Sequence, residues 1–206
     1  MLNNFYRNTG KRVFDIFFSL LAISFLMPLF LVIAVIIKLD SKGSIFYLQN
    51  RIGKDFVPFK LIKFRTMVTD ADKIGPLVTK DRDPRITKAG RFLRKAKLDE
   101  LPQFFNVLKG DMSIVGPRPE VEKYVNLKKD DYKLILSIKP GITDYATILF
   151  RDEEDILAKY DDIDYAYLKE ILPKKIELYK KYLEEMSLFV DMKIIFLTFL
   201  KIFKVG

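Results

Sequence analysis

The sequence predicts an α+β chain tied to a membrane. Three observations predict it: an uncharged apolar run of 22 residues from Ile16 to Ile37, two adjoining β-rich stretches at 44–50 and 56–65, and a remainder cut by proline and glycine into short helical segments. The charge is +9, with 36 basic and 27 acidic residues. Such a balance suits anionic membrane surfaces, phosphorylated substrates or nucleic acid. Eighteen Phe and a half-hydrophobic composition speak against a nucleic-acid module and for a membrane.

The apolar run is long enough to cross a bilayer, which takes about 20 residues. It is too long for a cleaved signal peptide, and no small-residue cleavage site follows. Pro28 sits near its centre, where the ring removes a backbone hydrogen bond and meets the carbonyl of Ser24, so a kink is expected. The hydroxyls of Ser24 and Ser19 are available to the freed backbone groups. Both flanks are basic, with Arg7, Lys11 and Arg12 before and Lys38 and Lys42 after. The charge asymmetry of a spanning helix is therefore weak. The residues alone still favour spanning over re-entry, because proline is tolerated in spanning helices. Asp15 lies within a turn of Lys11 and Arg12, either as a local interfacial ion pair or as part of a cluster anchoring the membrane element to the rest.

The stretches 44–50 and 56–65 read as a hairpin around the Gly-containing RIGKD segment. Lys60 and Lys63 alternate with Phe and Leu there, so neither face is purely apolar. Residues 68–86, with Gly75-Pro76 and Asp83-Pro84, read as a polar loop. Thr87 to about Lys97 reads as a basic helix, and FFNVLKG as a short helix stopped by Gly110. In SIVGPRPE, Pro117 and Pro119 fix the backbone on both sides of Arg118, and Pro119 is expected to open a helix with Glu120 and Glu122 in its first turn. KPGITDYATILFR reads as a Pro-Gly turn and a strand that ends at Arg151. An acidic exposed segment covers 152–164, and a helix interrupted at Pro173 covers 165–186. The stretch 187–205, apolar but interrupted by Asp191, Lys193, Lys201 and Lys204, fits either an interfacial amphipathic helix or a buried one.

The chain has no Cys and no His. That removes disulfides, thiolate nucleophiles, cysteine zinc sites and the commonest general base. Any enzyme must use carboxylates, Lys, Arg, Tyr and hydroxyls, and a metal would be a hard, oxygen-bound ion such as Mg²⁺. No Walker A or G-x-G-x-x-G motif is present. KLDELPQ (97–103) then stands out for its paired carboxylates, Asp99 and Glu100. Local sequence favours a helix cap ahead of Pro102. The alternative is chemistry: adjacent side chains diverge by roughly 100° on a helix, so the two would take different roles. One carboxylate could attack phosphorus while the other holds Mg²⁺, with Lys63, Arg94, Arg118 and Arg151 as candidate phosphate partners. Each of those cations, taken singly, also reads as a solvated surface charge.

The stretches KRVFD (11–15), the Pro-broken apolar helix, QNRIGK (49–54), FKLIKFRTM (59–67), LDELPQFFNVLKGDMSIVGPRP (98–119) and KPGIT (139–143) resemble, in order, the bacterial sugar transferases, or monotopic phosphoglycosyl transferases. The resemblance covers roughly residues 10–150. It implies a monotopic protein with a re-entrant N-terminal membrane helix (residues 1–40), which reverses the preference for spanning. A catalytic domain (41–206) with interfacial C-terminal helices would then lie on the cytoplasmic face of the bacterial inner membrane. The implied reaction moves a sugar 1-phosphate from a UDP-sugar to a polyprenyl phosphate, releases UMP, and passes through an aspartyl phosphosugar. By the same carry-over Asp99 is the nucleophile, and Glu100, with Asp99, belongs to the Mg²⁺ site. Lys63, Arg94, Arg118 and Arg151 match phosphate-binding positions, while Lys11, Arg12, Asp15, Ser24 and Pro28 match the membrane element. No further apolar bundle precedes the motif, which resembles the minimal single-domain form. Partners implied are the lipid bilayer and downstream glycosyltransferases, with no nucleic acid.

Two departures stand out. Met27 precedes Pro28 where the family often has Ser, and Asp144-Tyr145 follows KPGIT where many members have Gly-Trp. A non-catalytic membrane adaptor, binding anionic lipid or phosphoprotein through its basic face, is the alternative from a different class.

Overall fold

The structure, a computed structural model, describes residues 6–71, 83–160 and 162–203. Gly75-Pro76 and the tail beyond Phe203 lie outside the described residues. A helix α1 (Lys11–Asp40) is followed by the strands β1 (Phe46–Ile52) and β2 (Pro58–Phe64). Next come α2 (Lys88–Lys95), a 3₁₀ turn (Leu98–Glu100), α3 (Gln103–Lys109) and β3 (Ser113–Val115). The helices α4 (Glu122–Leu127) and α5 (Lys129–Ile135) lead to β4 (Gly141–Thr143) and α6 (Tyr145–Leu149). Then α7 (Glu153–Leu157), α8 (Ile163–Ala166), α9 (Leu172–Glu185) and α10 (Leu188–Phe203) complete a mixed helical and β architecture.

α1 is the one helix among the described residues long and apolar enough to cross a membrane. Thirty residues at about 1.5 Å each make it roughly 45 Å long. Pro28 lies inside it, the chain remaining helical on both sides. Ser24 is exposed and makes no side-chain hydrogen bond among the described residues, while Ser19 is fully buried with its hydroxyl unpartnered. The buried residues Lys11, Asp15, Ser19, Ile23, Phe30, Ile33 and Ile37 recur every three to seven positions and form one stripe along the whole helix. On the opposite side Phe17, Leu21, Phe25, Leu31, Val35 and Leu39 are exposed, Phe25 by 84%. An apolar face of that size on a charged protein is a contact surface for lipid or protein.

Both halves of the stripe dock on the rest of the chain. At its start the Asp15 carboxylate accepts from the Ser113 hydroxyl (3.0 Å) and the Ile114 N–H (2.9 Å). Asp15 thus ties α1 to β3, although its spacing to Lys11 and Arg12 had allowed a local pair. Lys11 instead pairs with Asp191 of α10 at 2.5 Å, where the Tyr6 and Tyr182 hydroxyls also donate. Arg12 donates to the carbonyls of Val107 (2.6 Å) and Leu108 (2.8 Å) at the end of α3, where cations meet the negative helix terminus. In the second half Phe30, Ile33 and Ile37 pack with Phe64 and Leu93. Asp40 accepts the Ala89 N–H of α2 at 3.0 Å.

The hairpin is antiparallel in the register Phe46↔Phe64 to Ile52↔Pro58. Its turn differs from expectation. Gly53 keeps an ordinary negative φ, and the left-handed positions fall on Asp55 (φ 56) and Phe56 (φ 61). The short parallel pair β3–β4 runs Ser113↔Gly141 and Val115↔Thr143. A Cβ on Gly141 would lie 2.1 Å from the Gly116 nitrogen, so the two backbones cross where only glycine fits. Gly110 ends α3 in the left-handed region (φ 98), as its position predicts. Pro119 does not open a helix. The Ile52 N–H donates to the Glu120 carbonyl (3.1 Å), holding that segment extended, and α4 starts only at Glu122.

Of the two readings of the C-terminal stretch, α10 satisfies parts of both. Asp191 and Ile194 are fully buried, while Phe189, Met192, Phe196 and Phe199 leave an exposed apolar face. That mixture suits a helix whose inner side packs on protein and whose outer side meets an interface.

Candidate active site

Asp99 and Glu100 sit on the 3₁₀ turn between α2 and α3. Neither caps a helix: α3 begins after Pro102 with no side-chain cap bond. The cap reading of KLDELPQ therefore fails, and both carboxylates are available for other partners. Lys97, just before the turn, adopts φ 56, a costly conformation for a side-chain-bearing residue. It reverses the chain so that the turn can leave the basic helix α2.

The hairpin brings Lys63 to this turn. Asn106 of α3, fully buried, accepts the Ile62 N–H at 2.9 Å and donates to the Lys60 carbonyl at 2.8 Å. It thus replaces a missing strand neighbour along the open edge of β2. That clamp sets the next residue, Lys63, against Glu100, with Nζ 3.1 Å from Oε1. Arg118 arrives from the other side and hydrogen-bonds the same oxygen through Nη2. Its backbone is fixed by the Gly141 N–H donating to the Pro117 carbonyl (2.9 Å) and by its own N–H donating to Asp144 Oδ2 (2.8 Å).

The two carboxylates differ sharply in electrostatics. Burial resists ionisation of Glu100, yet Arg118 and Lys63 together hold it well below the usual carboxylate range. Asp99, 8% exposed, has no hydrogen bond or ion pair of its own among the described residues. Burial, with the Glu100 charge adding to it, pushes Asp99 up to about 6. Lys63, Arg94 and Lys97 act against that rise, so Arg94 belongs to the field at Asp99. Burial also lowers the Lys63 ammonium, despite Glu100 beside it.

Of the residues singled out in the sequence, Asp99, Glu100, Lys63 and Arg118 come together, with Arg94 near them. Arg151 does not join them by contact: its guanidinium hydrogen-bonds the Lys201 carbonyl of α10. Three further residues carry the site. Gln103, one helical turn after Asp99, is 1% exposed with both amide atoms unpartnered. Asn106 and Asp144 position Lys63 and Arg118. The signal for Asp144 in the sequence was its departure from the Gly that the family resemblance implies at that position.

Unpaired Asp99 oxygens and the second oxygen of Glu100 are hard donors on neighbouring residues, and no cluster of three acidic ligands occurs among the described residues. Such a pair fits Mg²⁺, which takes one or two carboxylates and completes its shell with substrate phosphates and water. Chemically the site combines an unpaired carboxylate with a raised pKa, a second carboxylate held ionised, and two cations, Lys63 and Arg118, that a phosphate could draw from Glu100.

A sequence profile described as bacterial sugar transferase matches residues 6–205. The UDP-glucose:undecaprenyl-phosphate glucose-1-phosphate transferase of Escherichia coli (strain K12) is 42% identical over 197 residues, covering 93% of this chain and 39% of that protein. The UDP-N-acetylgalactosamine-undecaprenyl-phosphate N-acetylgalactosaminephosphotransferase of Aeromonas hydrophila is 40% identical over 165 residues, 77% of this chain and 39% of that protein. The chain therefore spans about two fifths of the length of these relatives. The exopolysaccharide production protein ExoY of Sinorhizobium fredii (strain NBRC 101917 / NGR234) is 36% identical over 204 residues, covering 92% of this chain and 83% of that protein. With the match running through both carboxylates and nearly the whole chain, the protein belongs to the bacterial sugar transferase family.

Proposed function

We propose that this chain transfers a sugar 1-phosphate from a UDP-sugar to a membrane polyprenyl phosphate, as an early membrane step of glycoconjugate synthesis. The single observation that carries the reading is the contrast between Asp99, unpaired and raised, and Glu100, doubly paired and held ionised. The names of the relatives, which specify undecaprenyl phosphate and UDP-sugars, support the substrate classes.

In the first half-reaction an Asp99 oxygen attacks the phosphorus that bears the sugar. The bond from that phosphorus to the bridging oxygen breaks, UMP leaves, and an aspartyl phosphosugar remains. In the second, a phosphate oxygen of the polyprenyl acceptor attacks the same phosphorus and the Asp99 carboxylate is released. Lys63 and Arg118 exchange Glu100 for phosphate oxygens as the donor arrives, and Arg94 adds positive potential. Mg²⁺ held by Glu100 and Asp99 would supply further neutralisation of the phosphate charge.

The packing of α1 supports a re-entrant seating of the chain. Asp15 and Asp40, at its two ends, would be separated by roughly 38 Å in a straight helix, yet both bond the same soluble framework. A helix crossing the bilayer would keep its central 30 Å or so among lipids. A buried stripe along the full length instead supports a helix that enters and returns, with the site on the cytoplasmic face of the inner membrane. Downstream glycosyltransferases would then act on the lipid-linked sugar.

The test is incubation of membranes with a panel of labelled UDP-sugars and no acceptor. A protein adduct is expected in the wild type and none in Asp99→Asn. An adduct that persists in Asp99→Asn would overturn the nucleophile.

A further inference from the structure

The backbone of Arg118 is held from both sides. Pro117 and Pro119 fix φ at their own positions, the Pro117 carbonyl accepts from Gly141, and the Arg118 N–H donates to Asp144 Oδ2 at 2.8 Å. Asp144 is 1% exposed. Its other oxygen accepts the Thr147 N–H at 2.5 Å and so caps α6. A carboxylate buried this deeply is expensive unless it is hydrogen-bonded, and the Arg118 and Thr147 N–H groups supply those bonds. Asp144 also contributes, after Glu100 and Glu153, to the negative surroundings that stabilise the Arg118 cation.

Resting on the function proposed above, we propose that Asp144 is a positioning residue. It pins the Arg118 backbone so that only the guanidinium swings, from Glu100 in the resting site to a substrate phosphate oxygen when the donor binds. The cap on α6 and the pin on Arg118 use different oxygens of one side chain, so they can be separated. Serine at this position keeps a cap for Thr147 but is one atom too short to hold both N–H groups.

The experiment compares wild type, Asp144→Ser, Arg118→Ala and the double variant, full-length in nanodiscs. Single-turnover adduct formation is measured at saturating UDP-sugar, with inorganic pyrophosphate affinity measured separately by calorimetry. Asp144→Ser is expected to slow adduct formation by about ten- to a hundredfold, the upper figure being the cost of a misplacement of about 1 Å, with a modest fall in unfolding temperature from the orphaned Arg118 N–H. In the Arg118→Ala background it should cause no further slowing and no further loss of pyrophosphate affinity. Equal slowing in both backgrounds, or none in the wild-type background, overturns the assignment. Should Asp144→Ser fail to fold, Asp144→Asn, which keeps the volume and one acceptor, is read by the same criteria. A wild type labelled by no UDP-sugar counts against the proposed function, and the pyrophosphate comparison then decides the role of Asp144 by itself.

Discussion

The Lys63 ammonium lies 3.1 Å from Oε1 of Glu100, and each side chain is 17% exposed. The consequence falls on their neighbour Asp99. Glu100 raises the Asp99 carboxyl and Lys63 lowers it, with burial the larger influence. If ionised Asp99 is the nucleophile, adduct formation in the wild type should fall as pH drops through about 6. Removing the Glu100 charge (Glu100→Gln) should move that acid limb to lower pH, and removing the Lys63 charge (Lys63→Met) should move it higher. Single-turnover labelling between pH 4.5 and 8 measures both. Shifts in the same direction would contradict the arrangement.

A buried carboxylate with a raised pKa also weakens the fold. The sign follows from linkage: Asp99 titrates near the ordinary carboxylate value when unfolded and near 6 when folded. Below about pH 3 it is protonated in both states and contributes nothing. Between pH 4 and 6 the unfolded state ionises first, and stability falls as pH rises. Two pKa units correspond to at most about 3 kcal/mol. In EDTA, Asp99→Asn should therefore be more stable than the wild type above pH 6, by about 1–3 kcal/mol, with the difference vanishing near pH 3. Thermal denaturation across pH tests this, and a variant less stable at pH 8 would refute it.

Gln103 poses a similar conflict between stability and use. Its amide is buried one turn from Asp99 with neither end hydrogen-bonded. An unsatisfied buried amide costs about 1–3 kcal/mol. Replacing it by an apolar group of like size, Gln103→Leu, should raise stability by roughly 1–2 kcal/mol. Chemical denaturation in nanodiscs reads the change. A clear loss of stability would mean that the amide has a partner, such as an ordered water.

The Lys11–Asp191 pair joins the first and last helices inside the protein. Asp191 is wholly buried and also accepts from the Tyr6 and Tyr182 hydroxyls. Breaking a buried pair from one side costs about 3–5 kcal/mol. Asp191→Leu should lose that much, whereas Lys11→Met with Asp191→Leu should recover a substantial part because no charge is left alone. Comparison of unfolding midpoints for the single and double variants checks it.

The hairpin, the basic helix and the Gly110 stop were legible because each rests on local composition: two β-rich stretches around a Gly-containing segment, a basic run from Thr87 to about Lys97, and a glycine placed to end a helix, as it does in the left-handed region. The gathering of Asp99, Glu100, Lys63 and Arg118 was legible only through the resemblance, since periodicity says nothing about which distant charges meet. What stayed hidden depends on contacts far apart in sequence. Asn106 clamps a strand edge 44 and 46 residues away, and Asp144 holds a backbone N–H 26 residues back. Local reasoning also misjudged KLDELPQ. A cap needs its carboxylate next to the first helical N–H groups, and the 3₁₀ turn, with Lys97 left-handed, places Asp99 and Glu100 before that point.

The topology of α1 gives the last prediction. Thr9 precedes the helix and Lys42 follows it, and both are exposed. The chain has no cysteine, so Thr9→Cys and Lys42→Cys each provide a single label site. Were α1 to cross the membrane, a membrane-impermeant maleimide added outside spheroplasts would reach one site and spare the other. A re-entrant α1 keeps both on the cytoplasmic side, so neither should label until the membrane is permeabilised, and then both should. The buried stripe from Lys11 to Ile37 predicts the second pattern, because each half of the helix is bonded to the same catalytic framework. Labelling of one site alone from outside would place the halves of α1 on opposite sides and would break those contacts.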